Sequence, residues 1–284
     1  GPDIAGCPAA PGGRGPSVAA LIHPTAVIHP EAVLGQDVEV GPYAVIGRGA
    51  KLGDGCYVGP SSVVEHVEMG RGNQISSHVR IGGEPQVVPS PADARRVVVG
   101  DRNIFRESVT VSRGTRGDTV IGSDCYLMAN SHVGHDCRVG DRVTLVNGAL
   151  LGGHVEVGDG AILSGNAAAH QFTRVGTLAL LSGLSAAVMD ILPYCIATGP
   201  RARLAGLNLV GLRRAKIPRE RIQELKAAYR ALFLSNMLFR DALAHLAGGD
   251  PGPEVRVILE FCKNTRRAVA RPRRRAGGAL EEGE

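Results

Sequence analysis

Aliphatic residues recur along this chain at every sixth position. Ile22, Ile28, Leu34, Val40, Ile46, Leu52, Val58 and Val64 follow one another without a gap. A second run leads from Ile121 through Leu127, Val133, Val139, Leu145, Leu151, Val157, Leu163, Ala169, Val175 and Leu181 to Ala187. A helix would repeat near 3.6 and a two-faced strand near 2, so a strict period of six fits neither element alone. It predicts short strands joined by tight turns, each hexad forming one flat side of a prism with its aliphatic anchor pointing to a narrow axis. Three hexads make an 18-residue coil, and stacked coils hydrogen-bond at the strand spacing of about 4.8 Å. Glycine is expected to turn the corners.

The pattern breaks between the two runs. Residues 83–96 (GEPQVVPSPADARR) hold three Pro and no anchor, and Arg113 to Thr119 forms a shorter insertion; loops ejected from a solenoid commonly gather at its binding face. After Gly199 the period stops. Pro218 then opens PRERIQELKAAYRALFLSNMLFRDALAHLAG, with Pro at a plausible first helical position and Gly past the end, and PEVRVILEFCKNTRRAVA is a second amphipathic segment. The expected organisation is a disordered segment over 1–20, the prism over 21–199 with loop 83–96 ejected, a small α-helical domain over 200–270, and a disordered tail over 271–284. Coils of this kind are similar to those of the hexapeptide acyltransferase superfamily, whose members wind left-handed. That similarity implies a mainly β fold, a left-handed parallel β-helix of hexapeptide repeats followed by the C-terminal helices.

Composition supports the same reading. The 284 residues include 39 Gly, no Trp and only five Phe and five Tyr, yet 44% are hydrophobic, which suits a core built from small aliphatic side chains. The net charge of +5 is unevenly spread: residues 1–199 carry 14 Lys/Arg against 18 Asp/Glu, and residues 200–284 carry 18 against 9. The basic part suits an acidic protein, a phosphorylated ligand, nucleic acid or an anionic membrane surface. The Arg-rich end is short and has no aromatic platforms for stacking bases, so no nucleic-acid partner is expected. Six cysteines without a CxxC pair point to free thiols, and no apolar run approaches the length of a transmembrane segment.

Chemistry concentrates in the second run. His132, His135, His154 and His170 are spaced near whole multiples of one coil, and 135, 153 and 171 differ by 18, so the hexad arithmetic stacks His135, Gly153 and Gln171 in one column. A zinc site is one candidate, because neutral imidazole is a good ligand. A general-base His oriented by the adjacent Asp136 is more economical, and no metal or cofactor is expected.

NSHVGHDCRVG, LLGGHVEVGD, AAAHQFTRVG, GDRNIFRESVTVSRGT and LNLVGLRRAKIPRE together resemble the UDP-N-acetylglucosamine O-acyltransferases of lipid A biosynthesis, over about residues 22–268. In that family, acyl carrier protein delivers a 3-hydroxyacyl thioester that the sugar 3-hydroxyl attacks. The resemblance implies His135 as general base, Asp136 as its support and the Gly153 amide as oxyanion donor. It also implies that His132, His154, His170 and Gln171 surround the sugar and acyl chain, that Gly183 gauges acyl length and leaves room for a long chain, and that Asn208 and Arg214 contact the nucleotide. A homotrimer, a bacterial cytoplasmic location and a basic C-terminal dock for the acidic carrier are implied as well. Four family contacts are missing: Val87 and Pro89 stand where a sugar-contacting Asp and Lys are expected, and Val210 and Ala215 replace a Glu and an Arg. Those departures leave two alternatives beside the family reaction: a related acceptor, including an amino sugar acylated on nitrogen, or a non-catalytic scaffold that binds carrier or nucleotide sugar.

Overall fold

A computed structural model describes residues 21–265 and 267–272. The segments expected to be disordered, 1–20 and most of 271–284, lie outside the described residues. The hexads fold into a parallel β-helix, and strands that follow one another along the chain fall on three different sides. Side one begins at Leu21–Ile22, side two at Val27–Ile28 and side three at Val33–Leu34. Each side is one parallel sheet whose neighbouring strands come from successive coils. Side one runs through ten parallel strands, from Leu21–Ile22 to Cys195–Thr198, and ends with an antiparallel eleventh, Arg203–Leu207. The anchors stack in register, as in Leu127↔Leu145↔Leu163↔Leu181 on side one and Val133↔Leu151↔Ala169↔Ala187 on side two.

The coil does not pause where the six-residue count breaks. Val64 is followed five residues later by Met69, and Ile75, Ile81, Val99, Phe105 and Val111 continue the three anchor columns to Ile121. One hexad is short by a residue and two carry insertions, which defeats counting but leaves the anchors paired, with one register shift between Ile81 and Gly83 where the long loop departs. Phe105 is the single aromatic in the axis, fully buried. A second interior column also emerges. The residue two before each anchor points inward as well, so Ala44, Ala50, Cys56, Cys125, Cys137, Val143, Ala149 and Ala161 are buried. Their small size lets the larger anchors meet at the axis. Most of its polar members are satisfied internally, the Ser131 hydroxyl being an exception: Asn103 donates to Asn73 Oδ1 and to Gly122 O, and the thiols of Cys56, Cys125 and Cys137 donate to carbonyls of the next coil.

The expected role of glycine needs correction. The left-handed corner position is mostly filled by other residues, among them Asp37, Ser61, Asp124, Asn130, Asp136, Asn166 and Phe172. Many glycines instead sit directly after the anchor, where a side chain has no space. A Cβ at Gly59 would lie 2.7 Å from Ser76 C and 2.8 Å from Ile75 O, both backbone atoms of the next coil. Close stacking of coils, more than corner conformation, explains the glycine content.

The hairpin of Cys195–Thr198 and Arg203–Leu207 places the expected domain boundary at 199/200 inside the β structure. Helices begin only at Leu209: α1 (Leu209–Arg214), α2 (Arg219–Phe233), α3 (Phe239–Gly248) and α4 (Pro253–Lys263). The long segment after Pro218 is thus two helices. They separate near Ser235, whose hydroxyl donates to Ala231 O and accepts from Met237 N. The chain then returns to the prism. Arg174 lies 4.0 Å over the Phe261 ring and donates to Phe261 O, and buried Asp190 exchanges backbone hydrogen bonds with Ala268 and Ala270. No described helix is long and apolar enough to cross a membrane.

Gly59→Ala and Gly55→Ala separate the two uses of glycine. Gly55 has φ +66°, but a Cβ added to it would meet open space, so alanine there costs about 1 kcal/mol of left-handed strain. Alanine at Gly59 must push coils apart, at about 3 kcal/mol. Urea denaturation of both variants measures the difference, and equal losses would contradict it.

Candidate active site

The corner between sides two and three carries the histidine cluster. His135, Gly153 and Gln171 each stand two residues after paired anchors Val133, Leu151 and Ala169, so they occupy one column as the spacing predicts. Asp136, His154 and Phe172 form the adjacent column, with φ of 59°, 59° and 64°. The corner is held by His154 N–H on His135 O at 2.9 Å and Phe172 N–H on Gly153 O at 3.0 Å.

Asp136 is the electrostatic centre of this corner. Its Oδ2 lies 2.7 Å from His135 Nδ1 and accepts from Thr115 N–H (2.9 Å) and Thr115 Oγ1 (2.8 Å). Oδ1 accepts from Arg116 N–H and Gly117 N–H, both at 2.9 Å. Those donors belong to the short insertion in the preceding coil, which closes tightly because a Cβ at Gly114 would overlap Gly117 O. Burial opposes ionisation of Asp136, but the hydrogen bonds from Gly117, His135, Thr115 and Arg116 outweigh it and hold the carboxyl well below the usual carboxylate range. An ionised carboxylate only accepts, so His135 Nδ1 carries a proton and, in the neutral ring, Nε2 is left as the basic nitrogen.

The neighbours of His135 shape its ring. His154 meets it edge to face at 5.0 Å between centroids and stacks on Phe172 at 4.5 Å with 9° between planes. A Cβ at Gly153 would overlap the His135 imidazole, so only glycine fits there. Among the described residues the Gly153 N–H has no acceptor. At the corner between sides three and one, the same turn position is closed by a side chain of the next coil, as when Asp141 Oδ1 accepts from Ser123 N–H. His132 is bound through Nδ1 to Thr110 Oγ1 at 2.8 Å. Burial pushes the His132 ring down from its ordinary value, with His135 adding to the effect. Burial also lowers His154; the Asp136 charge opposes this, and His135 and Arg116 reinforce it. His135, Asp136 and His154 offer three potential metal-ligand atoms within 4.8 Å of one another. Both oxygens of Asp136 are already filled by protein donors, so this donor set fits a hydrogen-bonded dyad better than a metal.

The other expected site residues are more dispersed. His170 and Gln171 are exposed one coil beyond Gly153 and two beyond His135 on the same edge, His170 Nδ1 lying 3.1 Å from Gln171 O. Gly183 follows Leu181 and so lies at the corner between sides one and two, exposed. Asn208 is buried and caps α1: its Oδ1 accepts from Gly211 N–H and its amide donates to Leu178 O. Arg214 and Ala215 are exposed at the end of α1, and Val210 is exposed near its start. Val87 and Pro89 belong to the ejected loop around the fully exposed Val88.

Known proteins resemble this chain in sequence and fold. Residues 190–270 match the family described as Udp N-acetylglucosamine O-acyltransferase, domain 2, and residues 118–153 match the bacterial transferase hexapeptide family. An acyl-[acyl-carrier-protein]–UDP-N-acetylglucosamine O-acyltransferase of Anaeromyxobacter sp. (strain Fw109-5) is 45% identical over 207 residues, covering 72% of this chain and 80% of the relative. The chain belongs to the UDP-N-acetylglucosamine O-acyltransferase family. A homologue from Burkholderia orbicola is 39% identical with the same coverage. Among solved structures, the UDP-N-acetylglucosamine acyltransferase from Campylobacter jejuni aligns with TM-score 0.84 and 33% identity over 89% of this chain and all of that one. The Francisella novicida enzyme aligns with TM-score 0.86 and 30% identity, over 88% and 94%. Membership makes the fold a left-handed parallel β-helix with C-terminal helices.

Sequence reasoning misses Thr115, Arg116, Gly117 and Phe172 in this histidine corner. The insertion and its Gly114 are the available signal, because extra residues at the corner just before His135 must fold back on something.

The depressed Asp136 acid has a stability consequence. Its folded value lies below the unfolded one, so its contribution is fully present above about pH 4, the unfolded value, and is lost as pH falls toward the folded value. The stability gap between wild type and Asp136→Asn is therefore full at neutral pH and narrows below about pH 4. Denaturation at a series of pH values checks this, and a gap constant with pH would contradict it.

Proposed function

We propose that this protein transfers a 3-hydroxyacyl chain from acyl carrier protein to the 3-hydroxyl of UDP-N-acetylglucosamine or a close nucleotide amino sugar, with His135 as general base. The observation that carries the reading is the pairing of a His135–Asp136 dyad with an uncommitted Gly153 N–H beside the same imidazole. His135 Nε2 takes the proton of the sugar hydroxyl as its oxygen attacks the thioester carbonyl. Negative charge develops on the carbonyl oxygen, where the Gly153 amide donates. Collapse breaks the C–S bond, and the imidazolium returns its proton to the departing carrier thiol. Asp136 stabilises the imidazolium while remaining ionised.

His132, His154, His170 and Gln171 then line the approach of sugar and acyl chain, and Arg214 offers charge to the nucleotide. Gly183 lies on a different edge from His135, so one prism does not gather the whole set at one corner. A homotrimer, in which an edge of one subunit faces an edge of the next, supplies the second wall. The basic C-terminal helices suit the acidic carrier, whose capture such charge accelerates most at low salt. Val87, Pro89, Val210 and Ala215 bring no acceptor-side charge, which favours testing an amino-sugar acceptor beside the parent one.

Purified protein incubated with 3-hydroxyacyl carrier protein and UDP-N-acetylglucosamine is expected to form the 3-O-acyl product. His135→Ala is expected to lose a factor on the order of 10² to 10⁴ in rate. Transfer only to the amino-sugar analogue would keep the chemistry and replace the acceptor. No turnover with either would favour a binding scaffold, and undiminished transfer by His135→Ala would remove its assigned role.

The ruler has its own test. A Cβ at Gly183 meets only Gly165 O, at 3.4 Å, so its own chain tolerates a side chain there. Gly183→Met is expected to fold normally and to shift preference toward shorter acyl chains in competition assays; unchanged chain preference would refute the ruler role.

A further inference from the structure

We propose that Thr115 is a positioning residue that decides which of two imidazoles Asp136 serves, an inference that rests on His135 being the base. Two histidines compete for the same carboxylate oxygen: His135 Nδ1 lies 2.7 Å from Asp136 Oδ2 and His154 Nε2 lies 3.7 Å from it. Thr115 Oγ1 donates to that same Oδ2 at 2.8 Å, and it is the only hydroxyl on the carboxylate among the described residues. The backbone donors of residues 115–117 hold the carboxylate whatever side chain stands at 115. They satisfy its charge without choosing between the two rings.

The hydroxyl adds a directional constraint on Oδ2. From the far side of the turn, Thr119 Oγ1 accepts from Asp136 N–H at 2.9 Å, so the residue is held between two threonines. The hexad fold supplies Thr119, the buried residue two before anchor Ile121, but not Thr115. Four residues beyond the regular coil, inserted between Val111 and Val133, deliver Thr115. Without the hydroxyl, Oδ2 keeps the Thr115 N–H but loses the side-chain donor that fixes it on His135, and the carboxylate can tilt toward His154. The His135 ring then loses the fixed partner that keeps its proton on Nδ1 and its basic nitrogen at the attacking hydroxyl.

The test uses the full chain in the carrier-protein assay with four variants: Thr115→Val, Thr115→Ser, Asp136→Asn and the Thr115→Val/Asp136→Asn double. Thr115→Val is expected to lower kcat on the order of tenfold, the effect of one hydrogen bond to a charged group, with KM within about twofold of wild type. Thr115→Ser is expected to restore most of the rate. In the Asp136→Asn background the same Val substitution is expected to change nothing further, because its effect passes through the carboxylate. An equal loss in both backgrounds, or a Thr115→Val enzyme as fast as wild type, would overturn the proposal. If Thr115→Val fails to fold by thermal melting, Thr115→Ala carries the same comparison. Failure of the underlying reading is separable, since it would show as full activity in His135→Ala.

Discussion

Everything in this molecule depends on the register of the inter-coil hydrogen bonds. Each coil must present its N–H and C=O groups to the coils on either side, and a buried strand that missed its partner would leave several polar groups unpaired. The ladder therefore tolerates changes in loop length but not in register. A five-residue step before Met69, a long loop over 84–96 and a short insertion after Arg113 are all accommodated at the one corner between sides two and three, while the anchors on either side stay paired. These irregularities share the edge that carries the histidine cluster.

That constraint also explains how residues far apart in sequence act together. Stacking brings position n and position n+18 within one strand spacing, so His135 and Gly153 meet as neighbours without any local motif joining them. The close approach has a steric consequence. At the position facing the His135 ring nothing larger than glycine fits, and its amide, with no side chain above to close it as Asp141 closes Ser123, stays available. A turn left incomplete in the repeat leaves an N–H without an acceptor beside the imidazole.

The fold is legible in the sequence because the repeat is strict: the anchors of both runs lie on the axis, and the column of 135, 153 and 171 follows from arithmetic alone. Less legible is anything set by size rather than by hydropathy. The inward-facing residue two before an anchor is Ala, Cys, Ser, Thr, Asn or Val, a mixture of small polar and apolar types, so no uniform hydrophobic signal marks it. Conformational freedom suggests glycine for the corners, whereas the glycines after each anchor answer to space. The helical part reads as one segment after Pro218 because the break near Ser235 comes from hydroxyl bonds to the backbone that no periodicity encodes. Asn208 shows a further limit: a motif places the residue, but only the structure shows both ends of its amide engaged in capping α1.

The donors around Asp136 bear on why this corner uses a carboxylate at all. A buried carboxylate beside a histidine is costly unless other groups share its charge, and left alone it would take up a proton and cease to orient the ring. Here three backbone N–H groups and one hydroxyl share that charge, which leaves a single short contact for His135. The insertion thus performs for the dyad what the repeat does not, because all four of these donors come from Thr115, Arg116 and Gly117. Four donors could not be added within a coil without breaking its ladder. Growth of the corner outward, in a loop closed by Gly114, provides the donors and leaves the coil register unchanged.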